Sequence, residues 1–351
     1  MRDEVLDQRG ADLLCRTLAD HGVEVVFALS GNQIMPVFDA AFDRPLRLIH
    51  TRHEAGAVYA AEAHAQISGG IGVALVTAGA GLANALAPLL TARASQTPVL
   101  LLSGDSPVVG DGTGTFQEMD QVGLTQSLTK ASHRLANAAE IPQVVNYLNA
   151  LAQDGVPGPV HLALPDDVLR ERSTAATPGP QDLDGPHPDL SEIQAVLRSA
   201  QRPLVLLGPN LSRTRQPALS LSLVSATGAP VLCLECRRGL RDPGLGRWKA
   251  ALAEADLVLS IGKPVDFTQG FAKDAVAPRA LWHVVTPDGA EADRARRNLG
   301  DRLARIWAQD PVHFARALAG IDPIPATAAW TRTVADLVAA RSDAGQAGLT
   351  S

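Results

Sequence analysis

The feature that constrains this chain most is an alternation. Apolar runs of four to seven residues are separated by longer amphipathic stretches, with Gly or polar turns at the changeovers. Residues 11–21 carry apolar side chains at helical spacing, Gly22 ends them, and Val23-Glu24-Val25-Val26-Phe27 follows as a strand. The order then repeats: strand 46–49, helix 54–67 stopped by Gly69-Gly70, strand 71–76, helix 82–94, strand 98–102, helix 144–152 and strand 159–163. Strands that are apolar throughout and separated by helices belong to a parallel sheet covered on both faces. The fold class is therefore α/β.

Periodicity lapses over residues 171–190, ERSTAATPGPQDLDGPHPDL, where Pro, Gly and Asp accumulate as they do in a linker. Alternation resumes with helix 191–199, strand 203–208, a helix ending at 227, strand 230–234, helix 250–255, strands 257–261 and 281–285, and helix 312–319. Two open parallel-sheet α/β domains follow, one over 1–172 and a Rossmann-like one over 191–322. A linker over 173–190 joins them, and 323–351 is a C-terminal helix (328–340) and tail.

Composition narrows the function classes. With 46% hydrophobic and 19% charged residues the chain is too apolar to stay unfolded. Its 31 basic against 37 acidic residues leave no electrostatic footprint for nucleic acid or for an anionic membrane surface. No apolar run approaches the roughly 18–20 residues of a membrane span, and Met1-Arg2-Asp3-Glu4 is too acidic for a signal peptide, so a cytoplasmic protein is expected. Cys15, Cys233 and Cys236 make no disulfide framework. The Cys233-Leu-Glu-Cys236 pair has no second pair or His beside it and reads as buried thiols rather than zinc ligands. Arg237, Arg238, Arg241 and Arg247 read as a solvated loop, and Trp248, Trp282, Trp307 and Trp330 as core or interface anchors.

Three segments carry candidate chemistry. His53-Glu54-Ala55-Gly56-Ala57-Val58-Tyr59-Ala60-Ala61-Glu62-Ala63 sets a carboxylate between a strand and an Ala-rich helix that can approach a neighbour closely. Strand ends are where open α/β sheets place their sites; taken alone, Glu54 reads first as a first-turn acid favoured by the helix dipole. Thr77-Ala78-Gly79-Ala80-Gly81-Leu82-Ala83-Asn84 is a Gly-rich strand-to-helix turn that admits a ligand close to the backbone. Asn84 stands where a dinucleotide fingerprint has its third Gly, so the plain reading is a tight connection. Gly114-Thr115-Phe116-Gln117-Glu118-Met119-Asp120 is, by itself, a polar loop.

Together, in this order and spacing, GADLLCRTLADHGVEVVFALSG, RHEAGAVYAAEAHA, VTAGAGLAN, TPVLLLSGD, FQEMDQVGLTQSLTK and GVPGPVHLALPDDV resemble a family. It is the thiamine-diphosphate-dependent enzymes of the acetolactate synthase and 2-oxo acid decarboxylase superfamily, and the likeness covers nearly the whole chain. It implies that 1–172 is a pyrimidine-binding domain and 191–322 the family's central domain. In that family a glutamate at the position of Glu54 bonds N1′ of the cofactor's aminopyrimidine, favouring the imino tautomer whose nitrogen takes the proton from thiazolium C2. A carboxyl group in an apolar pocket shares a proton with a ring nitrogen more readily than an exposed one. Ser30 and Gly31 fall on the turn that packs on the pyrimidine; Thr77, Gly79, Gly81 and Asn84 fall on the other wall. Gln117, with Phe116, falls at the substrate end, where an amide can hold a developing enolate or carboxylate. Glu54 and Gln117 are thus the catalytic candidates.

There are departures from the pattern. Ser30 replaces the usual Pro, Ala63 a Gly, and Ala78-Gly79-Ala80-Gly81 a Ser-Gly-Pro-Gly turn. Val156 stands where FAD-carrying members place an arginine on the flavin. The motif Gly262-Lys263-Pro264-Val265-Asp266-Phe267-Thr268-Gln269-Gly270-Phe271 looks like that of flavin-free carboligases, so FAD is not expected. Family members continue into a third domain that holds diphosphate and Mg²⁺, and this chain stops near where it would begin. Gly110-Asp111-Gly112 with Asn137 imitates that domain's metal motif, but the triplet lies in a loop and ASHRLANAAE, which holds Asn137, reads as no strand. No metal ligand is assigned. The expectation is a pyrimidine-domain subunit or fragment that decarboxylates a 2-oxo acid and ligates the product to a carbonyl acceptor. It would use thiamine diphosphate, with Mg²⁺ held by a partner carrying the diphosphate-binding domain, and would self-associate. The alternative is a catalytically inactive regulatory or scaffolding paralogue of the same fold.

Overall fold

Strands without a polar face must lose water on both sides, and they do so here in two parallel sheets. The computed structural model describes residues 7–42, 44–176, 188–235 and 238–340. The chain forms two compact units, 1–183 and 184–351. Most of the stretch read as a linker (177–187), the acidic start, Cys236, Arg237 and the tail from 341 lie outside the described residues.

In the first unit β1 (Gln8–Arg9) and α1 (Gly10–Asp20) precede β2 (Val25–Ala28), α2 (Met35–Ala41), β3 (Arg47–His50), α3 (Glu54–Ser68), β4 (Gly72–Val76) and α4 (Ala80–Ala94). Then come β5 (Val99–Asp105), α5 (Gln121–Thr125), β6 (Ser132–Arg134), α6 (Ile141–Gln153), β7 (Val160–Pro165), α7 (Asp166–Arg170) and β8 (Arg172–Ser173). The six-stranded sheet runs β3-β2-β4-β5-β7-β6, all parallel, while β1 and β8 form a small antiparallel ribbon. Every residue of β4, β5 and β7 is buried, their apolar runs and also the polar Ser103, Asp105 and His161. The connections leave β2 toward β3 on one side, then return across it to β4 on the other. That reversal opens a crevice between the carboxyl ends of β2 and β4, the position where open α/β sheets bind ligands.

The Ala-rich helix packs as closely as its composition allows. Ala57 and Ala61 of α3 are buried in one cluster with Leu82, Ala85 and Leu89 of α4. A Cβ on Gly72, the first residue of β4, would stand 2.0 Å from the Ala61 carbonyl oxygen. Backbone meets backbone there, and no side chain can swing aside. Gly72→Ala is therefore expected to lower unit stability by ~2–3 kcal/mol, read as a drop in the urea unfolding midpoint at constant slope.

The second unit contains α8 (Ser191–Ser199), β9 (Pro203–Leu207), α9 (Leu219–Thr227), β10 (Val231–Cys233), α10 (Trp248–Glu254) and β11 (Leu257–Ile261). It continues with β12 (Leu281–Val285), α11 (Gly289–Leu299), β13 (Leu303–Trp307), α12 (Pro311–Ala319) and α13 (Ala328–Ala339). Its sheet runs β10-β9-β11-β12-β13, all parallel. Trp248, Trp282 and Trp330 share one core face, so α13 belongs to this unit's core; Trp307 and Phe314 fill the other face. Trp330 Nε1 donates to the Pro203 carbonyl (2.8 Å) and Trp248 Nε1 to that of Gly239 (3.1 Å), each burying a ring without orphaning its N–H.

The structure adds elements that the alternation does not announce. Residues 132–134, inside the segment read as no strand, form the edge strand β6; its three residues are polar and only half-buried, so they show no apolar run. Asn137 lies beyond it and caps a 3₁₀ turn, its side chain accepting from the Glu140 N–H at 3.2 Å. Helix α11 buries only Ala292, Ala295 and Leu299 of eleven residues, and β13, at a sheet edge, buries only Trp307, with the exposed Arg305 lying over the Trp307 ring at 4.0 Å. Helix α2 is a short piece behind a Pro. Among the described residues no helix is long and apolar enough to cross a membrane.

Candidate functional site

Glu54 is the first residue of α3, directly after β3. His53 caps the helix, its Nδ1 accepting from the Ala55 N–H at 3.1 Å. The Glu54 side chain is only 13% exposed. Its Oε2 accepts from Asn84 Nδ2 on α4 at 3.0 Å, and Oε1 accepts from nothing among the described residues. A Cβ on Gly81 would lie 3.7 Å from that Oε1 and 2.7 Å from Thr77 Cγ2, so the absent side chain keeps the oxygen approachable. One carboxylate oxygen is fixed and the other is left for a donor.

Thr77, at the end of β4, connects this carboxylate to a second cluster. Gly31, after β2, stands against it so closely that a Cβ there would lie 2.3 Å from the Thr77 Cβ. Thr77 Oγ1 donates to Gln33 Oε1 (2.7 Å), and Gln33 Nε2 donates to Gln117 Oε1 (3.0 Å). The polarity propagates: once the Thr77 hydroxyl donates, Gln33 must donate onward, and the Gln117 NH₂ is left as a donor pair without an acceptor among the described residues. Gly79 accommodates Gln117, whose Cβ would be 2.9 Å from a Gly79 Cβ, and both residues take positive φ, +60° and +63°. Positive φ costs a Gln energy and persists only where neighbours over-determine it.

The loop bearing Gln117 has its own internal anchor. Glu118 accepts from the N–H groups of Gly112 (2.6 Å), Gly114 (2.8 Å) and Thr115 (3.0 Å), and these bonds, Gly112's foremost, hold its carboxyl below the ordinary range. Asp111 is engaged elsewhere: it accepts a two-pronged bond from Arg134, 2.9 Å at each oxygen.

Glu54, Thr77, Gly81 and Asn84 thus come together, and Gly31, Gly79 and Gln117 join them through Thr77. Ser30 turns its hydroxyl to His50 Nε2 at 3.3 Å instead, and Phe116 stands 75% exposed. Gln33 was missed by sequence reading although it sits one residue past the Leu29-Ser30-Gly31-Asn32 turn. A polar residue at the start of a short helix carries no signal of its own.

In the second unit the 262–271 motif follows β11. Asp266 caps the turn, Phe267 and Phe271 are exposed, and Gln269 is fully buried with neither side-chain atom partnered among the described residues. Nearby, burial and then Asp288 push Glu291 up to about 7. Cys233 is buried, which raises its thiol, and Arg238, Arg241 and Arg247 are exposed. Among the described residues no group of three His, Cys, Asp or Glu side chains is placed to hold a metal ion.

Residues 8–124 match the family model described as "Thiamine pyrophosphate enzyme, N-terminal TPP binding domain". The chain is 31% identical over 307 residues to an acetolactate synthase of Mycobacterium bovis, an alignment covering 82% of this chain and 50% of the relative. It is 31% identical over 320 residues to 2-hydroxyacyl-CoA lyase 2 of Homo sapiens, covering 77% and 50%. To the acetolactate synthase large subunit of Lactococcus lactis it is 30% identical over 302 residues, covering 80% and 52%. The chain spans about half the length of the curated relatives it matches.

Proposed function

Because the chain belongs to the acetolactate synthase superfamily of thiamine-diphosphate-dependent enzymes, we propose that it supplies the pyrimidine-binding half of an active site that decarboxylates a 2-oxo acid and ligates the product to a carbonyl acceptor. The observation that carries this reading is the Glu54 carboxylate, nearly buried, with Oε2 tied to Asn84 and Oε1 unpartnered beside Gly81. Such an oxygen suits the N–H of a heterocycle, and the glycines at 31, 79 and 81 suit a flat ring.

Thiamine diphosphate, when bound, supplies the carbon nucleophile and electron sink that a 2-oxo acid needs to lose CO₂. The chain's own residues do the rest. Glu54 holds a proton at Oε1, shared with the ligand ring. Asn84 keeps that carboxylate in one orientation. Thr77 and Gln33 aim the Gln117 amide so that its N–H groups meet a substrate oxygen on which charge grows.

Diphosphate and Mg²⁺ fall to a partner bearing the diphosphate-binding domain. A docking face for it, or for a second copy of the chain, is supported by the outer sides of α3 and α4, where Gly56, Ala63, Ala83 and Ala87 lie among exposed Tyr59 (48%), Ile67 (77%) and Leu90 (58%). The test is a titration of thiamine diphosphate with Mg²⁺ into the chain mixed with such a partner, with CO₂ release from pyruvate as the readout. Saturable, cofactor-dependent release is expected. A mixture that neither binds the cofactor saturably nor releases CO₂ returns the chain to a scaffolding role.

A further inference from the structure

We infer that Arg134 is the positioning residue of the substrate loop, residues 106–120, an inference that rests on the reading of Gln117 given above. Arg134 ends the edge strand β6. Its Nε donates to Asp105 Oδ2 (2.5 Å) and its Nη2 to the Ser106 carbonyl (3.0 Å), while Nη1 and Nη2 fork onto Asp111 (2.9 Å each). One planar group thereby joins the last residue of β5, the first residue of the loop and a residue five further along it.

Asp105, 1% exposed, is the shared reference point. Its other oxygen accepts from the Ser106 N–H and from Gln121 Nε2, both at 2.8 Å, and Gln121 begins the helix at the far end of the loop. Both roots and the upstream half of the loop are therefore referred to one buried carboxylate. Glu118 gathers the stretch between, and Gln117 sits in its left-handed conformation beside it. Val108 packs against the core of the unit, and the Val108 and Val109 N–H groups donate to Asp167 at 3.0 and 3.2 Å, but beyond them Val109 is 90% exposed and Phe116 75%, so it is the guanidinium that ties Asp111 back to β5 and β6. Lysine cannot reproduce the fork, because an ammonium is a point charge without the planar pair of donors.

The experiment uses the chain mixed with its diphosphate-domain partner, pyruvate as substrate, and hydrogen exchange at Gly112, Gly114 and Thr115. Arg134→Ala is expected to raise KM for pyruvate on the order of tenfold or more, since a displaced donor of about 1 Å costs up to a hundredfold. The half-saturating cofactor concentration should not move, because Glu54, Asn84 and Thr77 lie outside the loop. The three amides should exchange faster, Arg134→Lys should restore little, and adding Asp111→Asn to Arg134→Ala should cost nothing further. Unchanged KM and unchanged exchange in Arg134→Ala would overturn the inference, as would a loss of kcat that merely tracks a lowered unfolding midpoint. If the unmodified mixture shows no cofactor-dependent turnover, the functional reading fails; the exchange result still decides whether Arg134 holds the loop.

Discussion

Glu54→Gln is expected to lower kcat for cofactor-dependent pyruvate turnover by ~10²–10⁴-fold, the range that positioned proton transfer contributes. The substitution preserves length and shape, and an amide oxygen can still accept from Asn84 Nδ2 in the place of Oε2. What it removes is the proton that Oε1 shares with the ring: the amide NH₂ in its place can donate to a bare ring nitrogen but cannot pass it a proton. Folding should hardly notice. The lost charge sits in the first turn of α3, where a carboxylate contributes ~0.3–1 kcal/mol through the helix dipole. A kcat loss with an unmoved unfolding midpoint therefore separates chemistry from structure, and unchanged turnover in Glu54→Gln would remove that residue from the mechanism.

The second large effect is on stability in acid, and it comes from His161. This imidazole is fully buried on β7, and burial pushes it down to about 3. Its bonds leave it one tautomer: Ser103 Oγ donates to Gln121 Oε1 (2.5 Å), so it accepts from His161 Nε2–H (2.7 Å), and Ser132 Oγ donates to Nδ1 (2.8 Å). A second proton would have to go onto Nδ1 and displace the Ser132 donor there. The unfolded chain, by contrast, takes up that proton at about 6.5. Since the folded value is the lower one, the stability associated with a neutral His161 is complete above about 6.5 and erodes as pH falls from there toward 3. The slope approaches ~1.4 kcal/mol per pH unit, and the loss reaches several kcal/mol. Urea midpoints measured from pH 7 to pH 3.5 should fall more steeply for the natural chain than for His161→Gln, which has nothing to titrate. Parallel curves would mean that His161 is protonated in the folded state at ordinary acidity.

The same network shows how much of the site was legible in the chain. Glu54, the 77–84 turn and the Phe116-Gln117-Glu118 triplet stand out because their spacing to a strand end or a helix start is local, a matter of a few residues. Gln33, Arg134 and the bond from Asn84 to Glu54 do not. Gln33 reaches Gln117 across 84 residues of chain, Arg134 reaches Asp105 across 29, and Asn84 reaches Glu54 across 30. Nothing in a polar residue's neighbours along the chain announces a partner at such distances. Strand β6 was hidden for a related reason: a three-residue polar edge strand has hydrogen bonds but no hydrophobic period.

The sequence by itself determined the α/β class, the alternation of buried strands and helices, and a carboxylate at a strand-to-helix junction, because periodicity and turn chemistry act over one or two turns of backbone. Tertiary structure alone decided which strand ends are neighbours. In the order β3-β2-β4-β5-β7-β6, loops that are far apart in the chain meet above β2, β4 and β5. That meeting leaves one oxygen of Glu54 open, turns the Gln117 amide into a donor, and gives Asp105 its arginine. Hydrogen bonds are satisfied in space, and the spatial order of these strands is not their order in the chain.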